Sequence, residues 1–85
     1  MEDKSYFAVR KRTPNDKYVY FKGNATNVKW EVFNKAKMFT KKEYAEKLLK
    51  KLRKDSYWKD HKLELVYVQV KVKTIHDIIE EEILS

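Results

Sequence analysis

The sequence predicts an α+β domain: an antiparallel sheet of three to four strands packed on one main helix, in the order β-β-β-α-β with a short C-terminal helix. Three observations predict it. Residues 6–32 contain three short runs in which side chains alternate between two faces, as in half-buried strands. Residues 41–54 switch to apolar spacings of three and four, the period of a helix. Residues 63–73 return to alternation, with Val66, Val68, Val70 and Val72 on one face.

The first run, Tyr6 to Arg12, sets Phe7, Val9 and Lys11 against Tyr6, Ala8, Arg10 and Arg12. Thr13-Pro14-Asn15-Asp16 is a turn, since Pro fixes φ and Asn and Asp tolerate turn conformations. Lys17 to Lys22 resumes a strand, Tyr18 and Tyr20 opposing Val19 and Phe21, so that the two runs form a hairpin. Residues 23–27 make the next turn and hold the only Gly of the chain. Val28, Trp30 and Val32, alternating with Lys29 and Glu31, form a third strand.

The helix has the sharpest start signal. Thr40-Lys41-Lys42-Glu43 reads as a capping box, with Phe39 and Tyr44 placed for a hydrophobic staple. Ala45, Leu48, Leu49 and Leu52 share a face, and Glu43/Lys47 and Glu46/Lys50 are favourable i,i+4 pairs. The expected span is Lys41 to Lys54. Residues 55–62 form a polar connection that contains Tyr57 and Trp58. From Thr74 or Asp77 onward, Ile75, Ile78, Ile79 and Ile83 suit a short amphipathic helix.

Eighty-five residues make a single domain, 1–85, near the lower size limit for folding on a hydrophobic core alone. An aromatic fraction of 14% makes such a core feasible, because each ring buries a large area. The absence of Cys excludes disulfides, thiolate metal sites and cysteine nucleophiles. The charged N-terminus and the lack of a long apolar run lead to the expectation of a cytoplasmic protein. Charge is uneven: residues 1–73 carry all 20 Lys and Arg and nine of the 13 acids, net +11, and residues 74–85 carry −4. A basic body attracts phosphate backbones or acidic protein surfaces.

Enzyme signals are missing, so a non-enzymatic binding protein without metal or cofactor is expected. Ser5, Ser56 and Ser85 sit in no nucleophile motif, and one Gly cannot make a phosphate loop of the usual kind. His61 and His76 each adjoin an Asp, at Asp60 and Asp77, a pattern more typical of polar connections than of a metal site. Glu80-Glu81-Glu82 reads as the solvated face of the terminal helix.

Two basic patches are candidate binding surfaces. One is the helix face Lys47, Lys50, Lys51, Arg53 and Lys54, which either contacts phosphate or an acidic partner, or simply complements the helix dipole. The other is the hairpin, with Arg10, Lys11, Arg12, Lys17 and Lys22 beside Tyr18 and Tyr20, a pairing of cations and rings that can hold backbones and stack bases. Tyr57 and Trp58 are further anchors. Only Arg10, Arg12 and Arg53 are arginines. Lysine acts on phosphate as a point charge, so contact with nucleic acid should be indifferent to sequence. The C-terminal stripe either docks on the core or is presented to a partner or a second copy.

The segment Trp30 to Ala45 resembles small, mostly uncharacterised proteins of bacteriophages and prophages of Gram-positive bacteria. These tend to have a KYVY-like strand, a Trp and an AKxFT step into a helix, here Lys17 to Tyr20, Trp30 and Ala36 to Thr40. The resemblance covers about half the chain and implies an inhibitor of a host nucleic-acid enzyme or of a defence system, anti-CRISPR proteins included. Phe39-Thr40-Lys41-Lys42-Glu43 is also similar to the arm-site DNA-binding domain of tyrosine integrases, in which three strands precede a helix and the sheet enters the major groove. Tyr44 and the long strand after the helix depart from that pattern. Lys41-Lys42 resembles the lysine pair of the double-stranded-RNA-binding domain, but that domain's first helix and preceding glycine are missing. The expected partner is a host protein that handles nucleic acid, or nucleic acid itself, with no membrane and with a homodimer through the C-terminal segment as a third option.

Overall fold

The computed structural model describes residues 4–24, 26–72 and 77–84. Alternation folds as expected into β1 (Lys4–Arg12), β2 (Tyr18–Asn24) and β3 (Asn27–Glu31). A single 3-10 turn (Phe33–Lys35), α1 (Lys42–Lys54), β4 (Lys62–Val72) and β5 (Asp77–Ile83) follow. All strands belong to one antiparallel sheet, ordered β3-β2-β1-β4-β5. The α+β class therefore holds, with five strands instead of three to four. No helix among the described residues is long and apolar enough to cross a membrane.

The last strand corrects the expected terminal helix. β5 lies along β4 with Val70 opposite Ile79, Val68 opposite Glu81 and Val66 opposite Ile83. Ile78, Ile79 and Ile83 fit a helical stripe, but Ile79, Glu81 and Ile83 fit a strand face equally well. Tertiary context decides between them: without β5, an eleven-residue β4 would have one edge unpaired. Thr74, Ile75 and His76 lie outside the described residues.

Both sheet faces are covered, for different reasons. On one, Val9, Phe21, Leu63 and Leu65 pack under Ala45, Leu49 and Leu52 of α1. Each fully buried Leu contributes about 1.5–3 kcal/mol of burial. On the other, Ala8, Tyr20, Val66 and Val68 meet Phe33, Ala36 and Met38. Gly23, at φ 94°, lies in the left-handed region, and a Cβ there would run into the Asn27 carbonyl. Only Gly fits this corner between β2 and β3.

Residues 36–39 do more than connect. Pairing of β1 with β2 runs only from Arg12↔Tyr18 to Arg10↔Tyr20, and the strands then part. Into the gap comes Phe39, exchanging two 2.8 Å backbone hydrogen bonds with Phe7, while Lys37 N–H donates to the Phe21 carbonyl at 2.8 Å. Met38 points to one side of the sheet and Phe39 to the other, where α1 begins. This anchoring corrects the expected cap. The helix starts at Lys42 with Lys41 as N-cap and no side-chain cap bond, one residue later than a Thr40 capping box requires. Tyr44 is exposed, so the expected staple with Phe39 is not formed.

Candidate polyanion-binding surface

The cations of this chain divide into those turned inward and those turned outward. Arg10 belongs to the first group. Alternation places it on the sheet face away from α1, where it is only 6% exposed. Its Nε donates to Glu64 Oε1 and its Nη1 to Glu81 Oε2, both at 2.8 Å. The Tyr18 ring lies 3.9 Å from the guanidinium carbon. The Tyr20 hydroxyl donates to the same Glu81 carboxylate at 2.8 Å. Burial, helped by that bond to Glu81, pushes the Tyr20 hydroxyl up to about 12. Burial alone would make Arg10 easier to deprotonate; its bond to Glu64 and the neighbouring Tyr20 hydroxyl outweigh this and raise it.

Arg12 Nη2 reaches Glu64 at 3.4 Å, and Arg53 Nη2 donates to the Leu63 carbonyl at 3.1 Å. All three arginines thus have partners within the fold. Arg10 and Tyr20, read from sequence as part of a basic patch, are occupied in a buried cluster that joins β1, β2, β4 and β5.

The lysines of α1 are turned outward. Lys47, Lys50, Lys51 and Lys54 are exposed at i, i+3, i+4 and i+7, on the side opposite Ala45, Leu49 and Leu52. The stripe is about 10 Å long at 1.5 Å per residue. Among the described residues none of the four makes an ion pair. Glu46, expected to pair with Lys50, instead meets Lys42 at 4.0 Å. Four charges along one ridge, facing water and unneutralised, form a surface for a polyanion.

The hairpin patch expected from sequence is divided between the two sheet faces. Arg10, Arg12, Tyr18, Tyr20 and Lys22 lie on the face away from the helix, and Lys22 stands opposite Lys29 of β3. Lys17 is exposed in the turn, where its N–H donates to Thr13 Oγ1 at 3.1 Å. Lys11 lies on the helix side, its Nζ 5.1 Å from the Trp30 ring and 5.3 Å from the Trp58 ring.

After α1, the chain turns through an aromatic loop. Tyr57 and Trp58 meet edge to face at 4.5 Å, Trp58 contacts Trp30 at 5.6 Å, and His61 stacks on Tyr57 at 5.8 Å. Tyr57 is 69% exposed, whereas Trp58 is half-buried against the core. Between this loop and the β1–β2 turn lies an open cleft of about 430 Å³, lined by Lys11, Arg12, Lys62, His61, Asp16 and Asp60 among others. Sequence reasoning did not single out Lys62 or Glu64, read Trp30 only as a strand residue, and took His61 for a residue of a polar connection. It took Glu81 for the solvated face of a helix, whereas Glu81 lies on a strand and accepts from Arg10 and Tyr20. Cross-strand register brings them to their places, and a linear pattern does not carry it. No group of three or more His, Asp or Glu that could hold a metal ion occurs among the described residues.

Comparison with known proteins gives no match to a family model, to a curated protein or to a solved structure.

Proposed function

We propose that this is a small, non-enzymatic binding protein that holds the phosphate backbone of nucleic acid through the lysine stripe of α1, without discriminating sequence. The observation that carries this reading is the set Lys47, Lys50, Lys51 and Lys54, exposed on one ridge and without ion-pair partners among the described residues. Lysine ammonium groups contact phosphates as point charges and release counterions when they do. The arginines, which would read guanine, are engaged inside the fold.

A second reading is the phage-type inhibitor of a host nucleic-acid enzyme or defence system. A specific observation favours it: Ile79 and Ile83 on the edge strand β5 are 49% and 51% exposed, apolar area that a phosphate backbone does not use. Charge limits its form. A channel built for nucleic acid is itself cationic and would repel the lysine stripe, so the inhibitor would dock on an acidic face of its target. A symmetric dimer through β5 is disfavoured by Glu80, Glu81 and Glu82, which such pairing brings against their own copies.

The test is binding of the purified protein to labelled single- and double-stranded DNA and RNA of unrelated sequences. Micromolar binding that is indifferent to sequence and weakens steeply with salt is expected. No binding at physiological salt would overturn the nucleic-acid reading and leave the protein-docking one.

A further inference from the structure

The cleft beside the aromatic loop has an electrostatic imbalance that the fold does not resolve. Arg12 of β1 and Lys62 of β4 stand directly opposite each other in the sheet, and like charges in that position repel. The one carboxylate near Arg12 is Glu64 at 3.4 Å, and Glu64 already accepts from Arg10 at 2.8 Å. Lys62 makes no ion pair among the described residues. Lys11, the third cation of the cleft, lies against Trp30 and Trp58 instead of an acid. Asp16 and Asp60 also line the cleft, yet neither comes within ion-pair distance of these cations among the described residues.

An anion seated between Arg12 and Lys62 would relieve this repulsion. The wall beside it is aromatic: His61 lines the cleft, with its ring stacked on the exposed Tyr57 at an interplanar angle of 26°. The volume, about 430 Å³, falls in the range of sites for a small molecule or one residue of a polymer. Eight residues of chain lead from Lys54, the last lysine of the α1 stripe, to Lys62 at the cleft.

We propose that the cleft is a subsite for one nucleotide of a single strand, its phosphate held by the facing pair Arg12 and Lys62 and its base against the His61–Tyr57 stack. This rests on the nucleic-acid reading above and deepens it. The stripe gives affinity for any phosphate backbone. The cleft adds a preference for unpaired bases, because a base inside a duplex has no free face to offer a side chain.

Both tryptophans of the chain lie under Lys11, which lines the cleft, so their fluorescence reports its occupancy. The experiment titrates the full chain, at one salt concentration, with three probes. These are a single-stranded oligonucleotide, the abasic deoxyribose-phosphate polymer of the same length, and a blunt duplex. The base-bearing strand should change the tryptophan emission and bind about tenfold more tightly than the abasic polymer or the duplex. His61→Ala, at an exposed position, should bring the ratio between base-bearing and abasic strands close to one. Lys62→Gln should weaken the single strand several-fold. Equal affinity for all three probes, with unchanged emission, would overturn the subsite and leave the stripe in place. No binding to any probe would overturn both.

Discussion

The cluster around Arg10 and the ridge of α1 use positive charge in opposite ways. In the cluster, one guanidinium is removed from water and held by two carboxylates and a tyrosine ring, with Nε and Nη1 each donating in a fixed direction. On the ridge, four ammonium groups remain in water with flexible stems and no ion pairs among the described residues. The contrast follows from side-chain chemistry. A planar fork can satisfy two carboxylates at once, whereas an ammonium on a four-carbon stem is strongly hydrated and is best left outside. The cluster serves folding by tying four strands together; the ridge contributes little to folding and is free to meet a partner.

The largest effect should come from removing the centre of the cluster. Arg10→Ala leaves Glu81 without its cation, Glu64 with Arg12 alone at 3.4 Å, and Tyr20 beside an unpaired charge. A loss of about 3–4 kcal/mol in denaturant unfolding is expected. Affinity of the protein that remains folded should be unchanged, which would separate the two regions. A loss below about 1 kcal/mol would mean the cluster is solvated and the comparison is wrong.

Tyr20 gives the second test, through pH. Its folded value of about 12 lies above the ordinary 10, so the folded state keeps its proton where the unfolded state has lost it. The stabilisation is fully present below about pH 10 and is lost as pH rises toward 12. Tyr20→Phe should therefore show a shallower fall in stability across that window, by about 2 kcal/mol. In the ultraviolet tyrosinate band, a component ionising toward pH 12 should be present and should disappear in Tyr20→Phe. Identical pH profiles for the two proteins would contradict the buried bond to Glu81.

The smallest effect on stability belongs to the ridge. Replacing Lys47, Lys50, Lys51 and Lys54 together by Gln should shift unfolding by no more than about 1 kcal/mol, since all four are exposed and only the helix-dipole contribution is lost. A larger loss would make the ridge a structural feature.

The sequence made one of these regions visible and concealed the other. The ridge could be read directly, because helical spacing places four lysines opposite three core positions without any tertiary information. The faces of β1, β2 and β4 were equally legible from alternation. The cluster was not. Arg10 alternates with Tyr6, Ala8 and Arg12, a face that looks open until β4 supplies Glu64 and β5 supplies Glu81. Glu81 itself was hidden, since Ile79 and Ile83, four residues apart, satisfy both periods and only the open edge of β4 selects the strand. The late start of α1 was hidden for a similar reason: the pairing of Phe39 with Phe7 spans 32 residues and overrides a sound local cap signal.

The central claim is that the α1 ridge contacts phosphates. It is tested most directly by the slope of log affinity against log salt for a single-stranded oligonucleotide, in the wild type and the four-lysine variant. At about 0.7 per phosphate contact on a single strand, the variant's slope should be shallower by about 3. The same slope in both proteins, or no binding by the wild type, would contradict the account.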